Sequence, residues 1–548
     1  MWKQQNLTNG VIYMLHQNRQ AFHYEIDETD KLVTAWAALP LITELFYRMG
    51  LNDVINEEIG ARLSQGYSDA EQILSLMLLN ISGGESVEDL KMLEGDPGLK
   101  ELHKQLEGAN ARSAKKGPKA LGNRWRKERD RCFPSATAIR DYLGCFENPG
   151  ESEKRGMGRS FIPASNKHLA GFKEVMAGML AWLQERDPQK TATLDQDATL
   201  IPTDNKEAFF NYQKERSYQA FNTYYAQRDL VIHTEFRDGN VHAGYEQLRI
   251  LKEAIGQLPQ GIEEVCLRSD TAGYQVEVMK YCTNANKEER RFDVIKFGIS
   301  CEVRREFREA SCRAPEESWI PIMKEVKTGG MVRLEYTGQD CTVISYVPAD
   351  PEAKNADGSE FRYIAIREKL NNQMQLPFKD GSDRKDSESY REQLEFEETR
   401  NMNKLHLETM NGFRYKLFGI VTNIMDTEAD KIVLWQRKRC GNSEQVHDTL
   451  KNQFAGGHVP SKLFGANAAW WWISVLALNL QNILKSHILP EELKRKEPKG
   501  LRFGLYSIAG RIVRHAGQWI VKLNRSNPVS KILEEAQWKL MRFCSYQT

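Results

Sequence analysis

Five acidic residues in this chain stand where carboxylates can do chemistry. Asp195 and Asp197 lie two apart in the β-type run Thr193 to Ile201, so both side chains point to one face of a strand. Two acids on one face of an otherwise apolar strand are costly to bury unless charge neutralises them, and a divalent cation is the usual solution; an exposed strand end would also account for them. Asp270 follows the strand-like EEVCLRS (Glu263 to Ser269) and precedes a helix-like stretch from Tyr274 to Tyr281. That places it at the carboxyl end of a strand, where open α/β sheets bind their ligands. Glu444, Asp448 and Lys451 fall at i, i+4 and i+7, on the helix face opposite Val446, Leu450 and Phe454, as a solvated face also would. The order is more specific than any one member: an acid on a first strand, an acid after a later strand, a long intervening segment, then an acid on a helix. Three carboxylates converging on two Mg²⁺ ions make a site for in-line phosphoryl transfer.

The elements that must position these acids read as follows. Residues 1–190 are helical in pattern: Ser68 caps an apolar helix that stops at Gly83-Gly84, and Ser86 with Asp89 repeats the capping signature. From Thr191 the pattern turns to strands. A hairpin is expected with its turn at Asp238-Gly239-Asn240, then helix, strand, helix and strand to Ile299, which describes a mixed α/β core over 191–299. Residues 300–410 read as a β-rich insertion, 411–484 as the second part of the core with a helix from Asn442 to Phe454, and 485–548 as a basic C-terminal region.

Charge is local. Lys plus Arg number 76 against 75 Asp plus Glu, so no whole-molecule attraction to polyanions exists. Ala109 to Arg140 nevertheless holds ten Arg or Lys against two acids, including Lys115, Lys116, Lys119, Arg124, Arg126 and Lys127. Such a run is ordinarily a solvated loop, but as an arm leading into a helix it would position the protein on DNA through phosphates. Residues 485–548 carry a second excess, 13 Lys or Arg against five Glu.

Nine cysteines without a Cys-x-x-Cys pair argue against a zinc ribbon and for a reducing compartment, and Met1 to Gln20 lacks the apolar stretch of a secretory leader. Ala466 to Leu480 is short of the roughly 20 apolar residues of a membrane span and reads as a buried helix. No membrane association is expected.

The segments LDQDATL (Leu194 to Leu200), FRDGN (Phe236 to Asn240), LRSDTAGY (Leu267 to Tyr274) and WQRKRCGNSEQVHDTLK (Trp435 to Lys451) resemble those of bacterial insertion-sequence transposases of the DDE class. The resembling branch has an RNase H-like catalytic domain interrupted by a β-strand insertion before the final Glu. The family's third-acid signature is Tyr-x2-Arg-x3-Glu-x6-Lys. Glu444 and Lys451 match its second half, whereas Trp435 stands at the Tyr, Lys438 at the Arg spacing, and Arg439 one residue beyond. The resemblance implies that Asp197, Asp270 and Glu444 bind two Mg²⁺ ions, for which Mn²⁺ substitutes. Asp195 is either a supporting partner or the alternative ligand. It further implies that Lys451, Arg439 and Lys438 hold phosphates, that Trp319 of the insertion is the candidate for stacking on a displaced base, and that a homodimer joins paired terminal repeats to target DNA in the bacterial cytoplasm, at the nucleoid. A catalytically silent DNA-end binder and a metal-dependent nuclease without strand transfer are the alternatives.

Overall fold

The computed structural model describes residues 32–62, 66–113, 131–157, 160–328, 331–346, 348, 354–355, 358–370 and 406–545. Of the basic arm, Lys115, Lys116, Lys119, Arg124, Arg126 and Lys127 lie outside the described residues.

Strands dominate the middle of the chain: β1 (Thr191–Pro202), β2 (Ser217–Tyr225), β3 (Leu230–Asp238), β4 (Glu264–Ser269), β5 (Lys296–Cys301), β6 (Ile320–Thr328), β7 (Met331–Ile344), β8 (Arg362–Lys369), β9 (Leu407–Met410) and β10 (Phe413–Thr422). They form one ten-stranded mixed sheet in the order β3-β2-β1-β4-β5-β10-β8-β7-β6, with β9 paired to β10. β1 is antiparallel to β2 and parallel to β4, which is in turn parallel to β5. The strands of the 300–410 segment therefore do not stand apart from the core: β10 pairs with both β5 and β8 and makes the sheet continuous.

The hairpin falls elsewhere than its turn signal indicates. β2 and β3 pair across a turn at residues 226–229, and Asp238-Gly239-Asn240 leads away from the sheet instead of folding back. The strand SYQAFNTYY escapes a search for alternation because every one of its residues is buried, polar ones included. Its Asn222 and Thr223 find partners inside, Asn222 Oδ1 accepting from the Thr234 hydroxyl and Thr223 Oγ1 from Gln196 Nε2 at 3.3 Å.

Six helices cover this sheet or pack beside it: α1 (Asp69–Ser82), α2 (Lys167–Arg186), α3 (Gln247–Gly256), α4 (Val276–Cys282), α5 (Ala429–Gln453) and α6 (Phe464–His487). The Ser68–Glu71 capping box starts α1, and Gly83 ends it at φ 92°, a left-handed conformation that suits glycine. α6 is buried from Phe464 through Leu484. Its Asn479 is paired twice: Nδ2 donates to Val231 O at 2.8 Å and Oδ1 accepts from Val231 N at 3.0 Å, capping the edge of β3. Trp470 Nε1 donates to Ala455 O at 2.7 Å, Trp471 Nε1 to Thr234 Oγ1 at 2.8 Å, so the tryptophans tie α6 to the end of α5 and to the sheet. Among the described residues no helix is long and apolar enough to cross a membrane. From the basic C-terminal region, Arg502 donates to Ile81 O at 3.0 Å and Gln453 O at 2.8 Å, joining the ends of α1 and α5.

α5 starts 13 residues earlier than its sequence pattern indicates, at Ala429 instead of Asn442. The reason is a second apolar cluster, in which Ile432 and Val433 of α5 pack on Ile322, Ile364, Ile366 and Ile420 of β6, β8 and β10. These strands are thus the floor on which the first half of α5 rests. Ile432→Ala should lower the unfolding free energy by about 2–5 kcal/mol, the range for large-to-small core substitutions. Urea unfolding followed by circular dichroism checks this, and a midpoint equal to that of the parent would contradict the packing.

Candidate active site

β1 and β4 lie side by side in parallel, with Asp195 opposite Arg268 and Gln196 opposite Ser269. The next positions, Asp197 and Asp270, consequently sit next to each other where β4 ends. Side chains alternate along β1, so Asp195 and Asp197 share the face covered by α5, and Gln196 points to the face covered by α3. There Gln247 of α3 donates to Gln196 Oε1 at 3.1 Å and to Ser269 Oγ at 2.9 Å.

Geometry separates the two acids of β1. Asp195 is buried and held bidentately by Arg268, whose Nε and Nη2 lie 2.5 and 2.7 Å from its carboxylate oxygens. The remaining Arg268 nitrogen, Nη1, donates to Trp435 O in α5 at 2.7 Å, and the guanidinium carbon lies 5.5 Å from the centre of the Trp435 ring. With both oxygens engaged, Asp195 is a strut that links β1, β4 and α5. Trp435 packs so closely on β5 that a methyl group at Gly298 would lie 2.8 Å from its ring.

Asp197 is the more open of the two. Its side chain keeps 18% exposure, its Oδ1 accepts from Ala198 N at 2.9 Å, and its Oδ2 accepts from Arg439 Nη1 of α5 at 3.0 Å. Burial pushes its carboxyl up to about 6; Arg439 opposes that shift and the neighbouring Asp270 charge adds to it. Asp270 caps the short turn Thr271–Gly273, its Oδ1 accepting from Ala272 N at 3.0 Å. Two neighbouring carboxylates, one of them destabilised as an anion, fit the oxygen-donor chemistry of a divalent cation.

The other expected members are placed differently. Glu444 is exposed on the flank of α5, between Cys440 and Asp448 one turn to either side, and the described residues hold no cluster of three or more His, Cys, Asp or Glu arranged for a metal ion. The convergence of all three acids is therefore not present, because the turn of α5 that reaches the β1–β4 pair presents Arg439. Lys451 is half-buried and donates to Leu200 O of β1 at 3.3 Å; burial lowers the pKa of its ammonium. Lys438 is exposed. Trp319 is only 8% exposed, with the Arg367 guanidinium stacked 4.5 Å from its ring centre, which leaves no face for a base.

Sequence reasoning missed three groups here. Arg268 is a charged residue in the buried run Val265 to Ser269, which is the mark of a buried counter-ion. Gln436 Nε2 of α5 donates to Ser269 O at 3.3 Å and Ser300 Oγ at 3.1 Å, locking the helix over the ends of β4 and β5. His447, which reads as an ordinary polar helix position, is buried, and burial together with the Lys451 and Arg439 charges pushes its imidazole down to about 3. It stays neutral at any pH near neutrality.

Two outcomes follow from this electrostatic arrangement. Asp195→Ala strands the Arg268 guanidinium in the interior and should lower stability by about 3–5 kcal/mol, whereas Asp197→Ala, at a partly open site, should cost less. Equal losses in chemical denaturation would contradict the division of roles. For Asp197 the folded-state pKa lies above the unfolded value near 3.8, so between about pH 4 and pH 6 the folded state binds more protons than the unfolded one. Its contribution to stability therefore falls as pH rises through that window, and Asp197→Asn should flatten this part of the stability profile in metal-free buffer. An unchanged slope would show that Asp197 ionises as it does in an unfolded chain.

Comparison with known proteins bears on the C-terminal half of the site. Residues 402–544, which include Arg439, Glu444 and Lys451, match the model of the family described as transposase DDE domain group 1. No curated protein matches the chain. Among solved structures, a piggyBac transposase in a synaptic complex with hairpin DNA is similar at a TM-score of 0.39 and 9% identity, over 85% of this chain and 79% of that one. That likeness is too distant to add to the geometry. The segment that matches this family model thus supplies α5, the helix that closes over the two aspartates.

Proposed function

We propose that this chain is a DNA transposase of the DDE class, which binds the terminal repeats of its own insertion sequence, cleaves the ends and joins the freed 3′-hydroxyl to target DNA. The observation that carries this reading is the adjacency of Asp197, within β1, and Asp270, just past the end of β4, beneath a helix from the segment that matches the DDE family model. The strand order supports an RNase H-like core: three antiparallel strands, then β4 and β5 parallel to β1 on its other side. The β6 to β9 insertion before the helix of the third acid is in keeping with the same branch.

Divalent ions at these carboxylates, Mg²⁺ in the first instance, would supply activation of the attacking water or 3′-hydroxyl and stabilisation of the leaving oxygen. Asp197 and Asp270 would hold them. Arg439, freed from Asp197, and Lys451 would bind phosphates of the DNA end, as guanidinium and ammonium groups beside a polyanion do. Glu444 would complete the set only after α5 shifts or turns toward β1. A homodimer with each subunit's basic arm on the other's DNA end, acting in the bacterial cytoplasm, completes the proposal.

The exposed position of Glu444 favours one rival, a DNA-end-binding protein that does not cut. Strand cleavage and joining on a duplex carrying the element's terminal repeat, with Mg²⁺, separates the two. The parent should cut and join, and Asp197→Asn, Asp270→Asn and Glu444→Gln should each bind the duplex with a loss of product of at least about 100-fold, as expected when a group stabilising the transition state is removed. A parent that binds and never cuts would favour the rival; one that cuts without joining would be a nuclease; a fully active Glu444→Gln would remove Glu444 from the site.

A further inference from the structure

The loop that leaves the acid-bearing strand presents aromatic rings to solvent in a way that packing does not explain. β1 runs five residues past Asp197 to Pro202, about 17 Å at 3.3 Å per residue, before the chain enters residues 203–216 and returns as β2. This loop is tightly built. Asn211 Oδ1 accepts from Gln213 N at 2.8 Å and Glu215 N at 3.2 Å, and its Nδ2 donates to Ser217 Oγ at 3.1 Å. Arg216 Nη1 donates to Lys206 O at 2.8 Å and Ala208 O at 2.6 Å, and Asn205 Nδ2 reaches Ser461 O, between α5 and α6, at 2.8 Å. On this fixed backbone Tyr212 is 82% exposed and Phe210 57% exposed, with the Arg216 guanidinium 4.6 Å from the Phe210 ring centre.

Rigid, solvent-facing aromatics with a cation on one ring are the equipment of a stacking surface. Planar bases stack on such rings whatever their sequence, and a preformed loop loses little conformational freedom when they do. A protein interface fits less well. The two rings are separated by buried Asn211 and flanked by charged Lys206, Glu207, Lys214 and Glu215, so they form no contiguous apolar patch of the size a stable interface needs.

We propose that loop 203–216 is a stacking platform for unpaired bases of the DNA that reaches the Asp197–Asp270 pair, with Tyr212 as the principal ring and Phe210 with Arg216 beside it. The inference rests on the transposase reading and extends it: the strand with the first acid also carries the grip on unpaired DNA, roughly five nucleotide steps away at about 3.4 Å per step.

The test uses the full chain in metal-free buffer, where no cleavage contributes. Two duplexes of the same sequence are titrated, one blunt and one ending in a single-stranded thymine tail that contains one 2-aminopurine. The parent should bind the tailed duplex about tenfold more tightly than the blunt one and quench the 2-aminopurine, a gain typical of one stacked base. Tyr212→Ala should lose both the preference and the quenching while binding the blunt duplex as the parent does, and Tyr212→Trp should restore them. A preference that survives in Tyr212→Ala, or is missing in the parent, overturns the proposal and leaves the transposase reading standing. Failure of the parent to bind either duplex overturns both. If Tyr212→Ala keeps the tail preference but changes the sedimentation coefficient, the ring belongs to a contact between protein chains and the proposal falls.

Discussion

The buried ion pair between Asp195 and Arg268 is the contact on which the site depends. It joins β1 to β4 through two charge-assisted hydrogen bonds and, through the third guanidinium nitrogen, holds the carbonyl of Trp435 in α5. A guanidinium so deep in the protein is tolerable only with its carboxylate in place, and this carboxylate can remain ionised only with its guanidinium. The pair therefore fixes three elements at once, and with them the position two residues on in β1, the residue just past the end of β4 and the position one turn on in α5. Those positions are Asp197, Asp270 and Arg439.

The triad of charges that results is unevenly balanced. Asp197 and Asp270 repel each other, burial disfavours the Asp197 anion, and Arg439 supplies one opposing charge through a single hydrogen bond. The Arg439 Nε is buried without a hydrogen-bond partner. An arginine that satisfies only part of its donors is well suited to leave for a phosphate when a better counter-ion arrives for the aspartates. Farther along α5, buried His447 stays neutral beside the Lys451 and Arg439 charges, and Lys451 donates to Leu200 O of β1.

Much of this was legible in the residues, and what was not has identifiable causes. LDQDATL and LRSD put Asp197 on a strand and Asp270 at the end of one because apolar runs and their limits are local signals. Alternation alone could not rank Asp195 against Asp197, since both share a face; the distinction lies in Arg268, 73 residues away along the chain. The start of α5 was hidden because Ala429 to Arg439 packs on strands of the insertion, a surface that no helical pattern in Asn442 to Phe454 reveals. β2 was missed because both its faces are buried and its polar residues are paired inside. Trp319, a stacking candidate by its position alone, is packed and capped by Arg367, whereas Tyr212, an unremarked loop residue, is exposed to solvent.

The central claim is that Asp197 and Asp270, not Asp195, form the cation-binding pair, and that Arg439 yields to the cation. Anomalous diffraction from crystals grown with Mn²⁺ and a terminal-repeat duplex addresses it directly. The account predicts an anomalous peak within coordination distance of the Asp197 and Asp270 carboxylates, with Arg439 withdrawn from Asp197 and the Asp195–Arg268 pair unchanged. A Mn²⁺ peak on Asp195, or none at the pair while Arg439 still holds Asp197, would contradict it.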